Sequence, residues 1–144
     1  MHKKLKIISL AVVLVGGILI YAKPYIKMEF AGSVTYTEQD AREYHFYTPE
    51  ILKNMPRISD RYEFDFANIT GPAKHLHAVR FYDVTDTSKI DSYLVSIGYK
   101  KQKECDIDAS CWQGSDPHET VYVGMLNGEK TVLVQVVTDF LNAQ

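Results

Sequence analysis

The sequence has no G-x-S-x-G elbow, no glycine-rich phosphate loop and no Cys-x-x-Cys pair. These absences remove the serine-hydrolase, nucleotide-cradling and thioredoxin-type readings. Internal repeats and low-complexity stretches are also missing. A calcium loop fails as well. Asp106, Asp108 and Ser110 imitate its first ligands, but Cys111 stands where the turn glycine belongs and Pro117 where the bidentate Glu belongs. His75 and His77 lie two apart on one side of a predicted strand, where a packed structural role outweighs metal binding. No residue set therefore predicts a metal, a cofactor or a catalytic centre, and the sequence reads as a non-enzyme.

Positive charge is scarce beyond the amino end. Residues 32–144 hold 11 Lys and Arg against 17 Asp and Glu, a net of −6, whereas the whole chain is only −2. Five lysines within the first thirty residues account for the difference. An acidic domain repels phosphate, which excludes nucleic acid and favours a basic protein partner.

A basic head (His2, Lys3, Lys4, Lys6) leads into an uncharged apolar run, Ile7 to Ala22, broken only by Ser9. Extended from Leu5 to Tyr25, the run approaches the length of a membrane-spanning helix, and Tyr21 and Tyr25 suit the interface. An uncleaved anchor fits better than a cleaved signal, because cleavage after Ala22 would place bulky Ile20 where a small residue is preferred. The charge bias across the run puts the amino end in the cytoplasm. Residues 1–30 thus read as a signal anchor. Residues 31–144 read as an extracytoplasmic domain on a single-pass protein of a bacterial inner membrane, facing the periplasm. In that compartment Cys105 and Cys111 are expected to form a disulfide.

The domain reads as α+β. Tyr44 and Phe46 suggest a short strand, and Thr48-Pro49-Glu50 starts a short helix with Thr48 as its cap. Tyr62, Phe64 and Phe66 alternate with Glu63 and Asp65 in a half-buried strand over 61–67. A second strand spans 75–83. Asp86-Thr87-Ser88 caps a helix whose Ile90, Leu94 and Ile97 form one stripe, and Gly98 ends it. A lysine-rich edge strand follows over 99–105. Asn127-Gly128 then signals a two-residue hairpin that sets Val123 opposite Val132 and Val121 opposite Val134. The expected architecture is an antiparallel sheet packed against one main helix.

The segment from Cys105 to Glu119 gathers Asp106, Asp108, Asp116 and Glu119 around Trp112, the sole tryptophan. A braced, polar loop with one aromatic is a candidate partner-binding surface, although Trp112 folding back to cap the core is the favoured reading of that residue. The combined expectation is a membrane-anchored protein-binding module, in its most specific form an immunity protein against a toxin in the cell envelope. The alternative is a structural or accessory subunit of an envelope or secretion complex.

Overall fold

A computed structural model describes residues 2–29, 32–69, 73–126 and 128–140, with Glu29 defined by its backbone. The chain divides into two units, residues 1–31 and 32–144. The first holds one helix, α1 (His2–Glu29), which continues through Pro24. At 1.5 Å per residue its 28 residues reach roughly 42 Å, matching a bilayer with its headgroups. Its apolar side chains from Leu5 to Ile20 stand exposed. β-Branched valine and isoleucine are mediocre helix formers in water, but in lipid only intrahelical bonds satisfy the backbone. The helix is long and apolar enough to cross a membrane.

The second unit is α+β. Its elements are β1 (Ser33–Tyr36), α2 (Ala41–Tyr47), α3 (Glu50–Lys53), β2 (Tyr62–Ile69), β3 (Lys74–Tyr82), α4 (Ser88–Ser96), β4 (Lys100–Lys101), β5 (Ser110–Gln113), β6 (Glu119–Met125) and β7 (Thr131–Asp139). The seven strands form one sheet in the order β1-β2-β3-β7-β6-β5-β4, and every pairing is antiparallel.

Alternation along the strands divides the sheet into two faces. Phe64 opposes Val79, Val79 opposes Val134, and Val134 opposes Val123. This row is almost wholly buried, as are Phe81, Val121, Val132 and Val136 on the same face. The helices gather over it. Tyr47 of α2 stacks on Phe66 at 4.6 Å, and Tyr44 meets Phe64 edge-on at 5.3 Å. Arg57 ties α3 down: its guanidinium donates to the carbonyls of Leu52 and Lys53 at 2.8 and 3.3 Å and lies over the rings of Tyr62 and Phe64. Burial opposes the Arg57 charge, but Glu38, accepting from Nε at 2.9 Å, more than restores it. Tyr93 of α4 donates its hydroxyl to the Ile51 carbonyl at 2.8 Å, joining α4 to α3. The expected short helix and main helix are α3 and α4, and α2 is added to them.

Several local expectations are corrected. Tyr44 and Phe46 belong to α2, not to a strand. The Asp40 carboxylate accepts from the Thr37 amide at 2.9 Å, closing a turn from which the helix departs. The residue capping α3 is Pro49; the Thr48 hydroxyl is buried against the Tyr36 hydroxyl instead. Ile90 and Leu94 are fully buried, but Ile97 has left the helix and is exposed. The edge strand shrinks to Lys100–Lys101.

The β6–β7 hairpin is two residues out of the expected register. Val123 faces Val134, and Val121 faces Val136. The Leu126 amide donates to the Thr131 carbonyl at 3.1 Å, so Leu126 pairs with Thr131 rather than with Glu129. Asn127, half of the expected turn, lies outside the described residues.

Candidate functional site

The segment 105–119 does not converge as one surface. Trp112 lies on β5, opposite Val121, and is only 3 % exposed. Its indole donates weakly to Ser110 Oγ at 3.4 Å. The ring caps the core and offers no exposed anchor. Glu119 sits on the same helix-side face and accepts the Tyr99 hydroxyl. Asp116 accepts from the His118 amide at 2.9 Å, closing a tight turn between β5 and β6. These three residues are thus set apart from Asp106 and Asp108.

The expected disulfide is not formed: Cys105 and Cys111 are free thiols. Cys111 is 5 % exposed and donates to the Glu104 carbonyl at 3.2 Å. Burial, then a hydrogen bond with the Cys105 thiol, pushes the Cys111 thiol up to about 11. The strand register fixes Cys111 opposite Tyr122, and its sulfur engages the neighbouring loop backbone and the Cys105 thiol without a covalent bond between them.

Asp106 and Asp108 belong to the loop between β4 and β5, which crosses the sheet face opposite the helices. The Tyr122 hydroxyl donates to Asp106 Oδ1 at 3.2 Å. Burial, then Asp106, pushes the Tyr122 phenol up to about 12. A Cβ on Gly124 would meet the Ala109 methyl at 3.1 Å, so glycine lets the loop lie close against β6.

Across β2, β3 and β7 the same face continues, opposite the side on which α2 and α3 pack. Its centre carries Leu76 opposite Val137 and Leu133 opposite Arg80, all partly exposed. On its β1–β2 side stands an ionic cluster. Arg80 clasps Asp65 through two nitrogens, at 2.7 and 3.1 Å, and reaches Glu63 at 3.1 Å. The Thr35 hydroxyl donates to Asp65 at 2.7 Å, and the Tyr82 hydroxyl donates to Glu63. Arg61 lies over the Tyr82 ring at 4.7 Å and pairs with Asp83 at 3.2 Å. The positions of Glu63 and Asp65 were visible in the alternation of β2. Their convergence on Arg80 depends on the β2–β3 register, which no local signal encodes.

His75 and His77 sit on the helix side. Their rings are 6.4 Å apart, and Phe66 and Phe140 contribute the surrounding apolar edges. Burial, then the neighbouring His75, lowers the His77 pKa below its ordinary value. His77 Nδ1 is buried with no hydrogen-bond partner. Among the described residues, no group of three or more His, Cys, Asp or Glu side chains is placed to hold a metal ion.

No protein-family model, no curated protein and no solved structure matches this chain.

Proposed function

We propose that this chain is a single-pass, membrane-anchored module that binds a basic protein in the bacterial envelope, and that it serves as an immunity protein against an envelope-directed toxin. The observation that carries this reading is the joining of a 28-residue apolar helix to a small sheet domain with six excess negative charges. Such a domain, concentrated at a membrane surface, attracts cationic proteins by long-range steering. Charge bias around α1 supports an amino end in the cytoplasm and a domain in the periplasm. Partner capture accounts for the compact acidic domain without assigning it a reaction.

The test is protection. The full-length chain is co-expressed with the product of the gene beside its own, the latter directed to the periplasm. Survival is expected with the anchored chain, with a complex recovered from detergent-solubilised membranes. Toxicity that the full-length chain does not relieve, with no complex recovered, removes the immunity reading.

A further inference from the structure

We propose that Cys105 and Cys111 form a two-sulfur site for a soft monovalent metal cation of the cuprous kind. The assignment goes beyond partner capture and does not rest on it.

Three observations carry it. First, the two sulfurs are already neighbours. Cys111 is fixed on β5 by its pairing with Tyr122, and Cys105 comes to it on the loop between β4 and β5. The start of that loop is tied to the same residue, because the Gln102 amide donates to the Cys111 carbonyl at 2.8 Å. The Cys111 thiol reaches the Glu104 carbonyl at 3.2 Å, and the two thiols share a hydrogen bond without a covalent link. Two metal–sulfur bonds of about 2.3 Å each span such a gap with little movement of the loop. Second, the sulfurs differ in access. Cys111 is buried and Cys105 is half-exposed, so a cation arriving from solvent meets Cys105 and closes onto Cys111. Third, the number of ligands selects the ion. Among the described residues, no third His, Cys, Asp or Glu joins the pair in a group placed to hold a metal. Structural zinc and iron–sulfur centres call for four ligands, and calcium and magnesium for oxygen. Cuprous copper prefers thiolate sulfur and is satisfied by two ligands in line.

On binding, each thiol releases its proton to solvent, two metal–sulfur bonds form, and no electron is transferred. Burial opposes a bare Cys111 thiolate, and the positive charge of the bound cation offsets that opposition. Asp106 is close enough to act on Cys111, and its negative charge also favours a cation there. Loading fastens the loop that carries Asp106 and Asp108 to β5.

The experiment uses the full-length protein in detergent, reduced and kept free of oxygen. It is titrated with cuprous ion held by bathocuproine disulfonate, and in parallel with zinc. One cuprous ion per chain is expected to leave the chelator, X-ray absorption should show two sulfur neighbours, and the melting temperature should rise. Cys105→Ser should weaken cuprous binding more than about a hundredfold and abolish the rise in melting temperature. Circular dichroism verifies that this variant, altered at the more exposed sulfur, keeps its fold. His75→Gln should bind as the wild type does. No transfer to the reduced wild-type chain overturns the assignment. Nitrogen or oxygen neighbours at the metal, undiminished uptake by Cys105→Ser, or zinc that displaces the cuprous ion overturn it equally.

Discussion

Phe64 and Asp65 are neighbours on β2, yet they belong to different physical regimes. Phe64 is fully buried, with the rings of Tyr36, Tyr44 and Tyr62 around it. Asp65 keeps about a quarter of its side chain in solvent and is held by Arg80 and Thr35. One face is held by packing, where every methylene counts. The other is held by exchangeable polar contacts, which solvent weakens and a partner can remodel. The difference separates residues that make the fold from residues free to make contacts.

Truncation tests that division most strongly. Phe64→Ala removes a fully buried ring and is expected to cost about 3–5 kcal/mol. Leu133→Ala, on the helix-free side, is expected to cost about 1 kcal/mol because its site already opens to solvent. Urea titration of the detergent-solubilised protein measures both; similar losses would erase the distinction between the faces.

A smaller effect comes from His77, buried on the helix side with a lowered pKa. The unfolded chain takes up a proton near pH 6.5 that the folded chain resists until lower pH. The stability contributed by neutral His77 is therefore present above pH 6.5 and is lost as pH falls through the folded value. Melting temperatures from pH 7.5 to 5 should fall, and His77→Leu should flatten part of the slope. An unchanged slope in that variant would assign the acid sensitivity elsewhere.

The smallest effect concerns the two thiols. Native protein treated with iodoacetamide should label half-exposed Cys105 before buried Cys111, whose raised pKa leaves little thiolate. Unfolded protein should label both. A mass showing one bridged pair and no label would contradict the free thiols described above.

Where side-chain period set the outcome, the sequence was readable. The alternation of Tyr62, Phe64 and Phe66 marked β2 and its buried face, and Ile90 with Leu94 marked the inner side of α4. Valines on both sides of the last strand signalled a central position, and β7 is the middle strand of the sheet. Local polar chemistry hid the rest. Tyr44 and Phe46 imitated a strand because the turn held by Asp40 and Thr37, not periodicity, launches α2. β5 was missed because four residues rich in Ser, Cys and Gln become a strand only by pairing with β6. The hairpin slip of two residues kept every side chain on its proper face, since a strand repeats every two residues. Of the acidic segment, only Asp106 and Asp108 reach the helix-free side; strand pairing carries Trp112 and Glu119 to the other.

The position of β7 has a consequence for biogenesis. It is the last strand to leave the ribosome among the described residues, yet it joins β3 to β6 at the middle of the sheet. Until Thr131–Asp139 has been made, the β1–β2–β3 and β4–β5–β6 segments each present an unpaired inner edge. Such edges invite mispairing with other chains. Synthesis therefore leaves the domain as two unjoined halves, and its assembly waits on delivery of a single nine-residue strand.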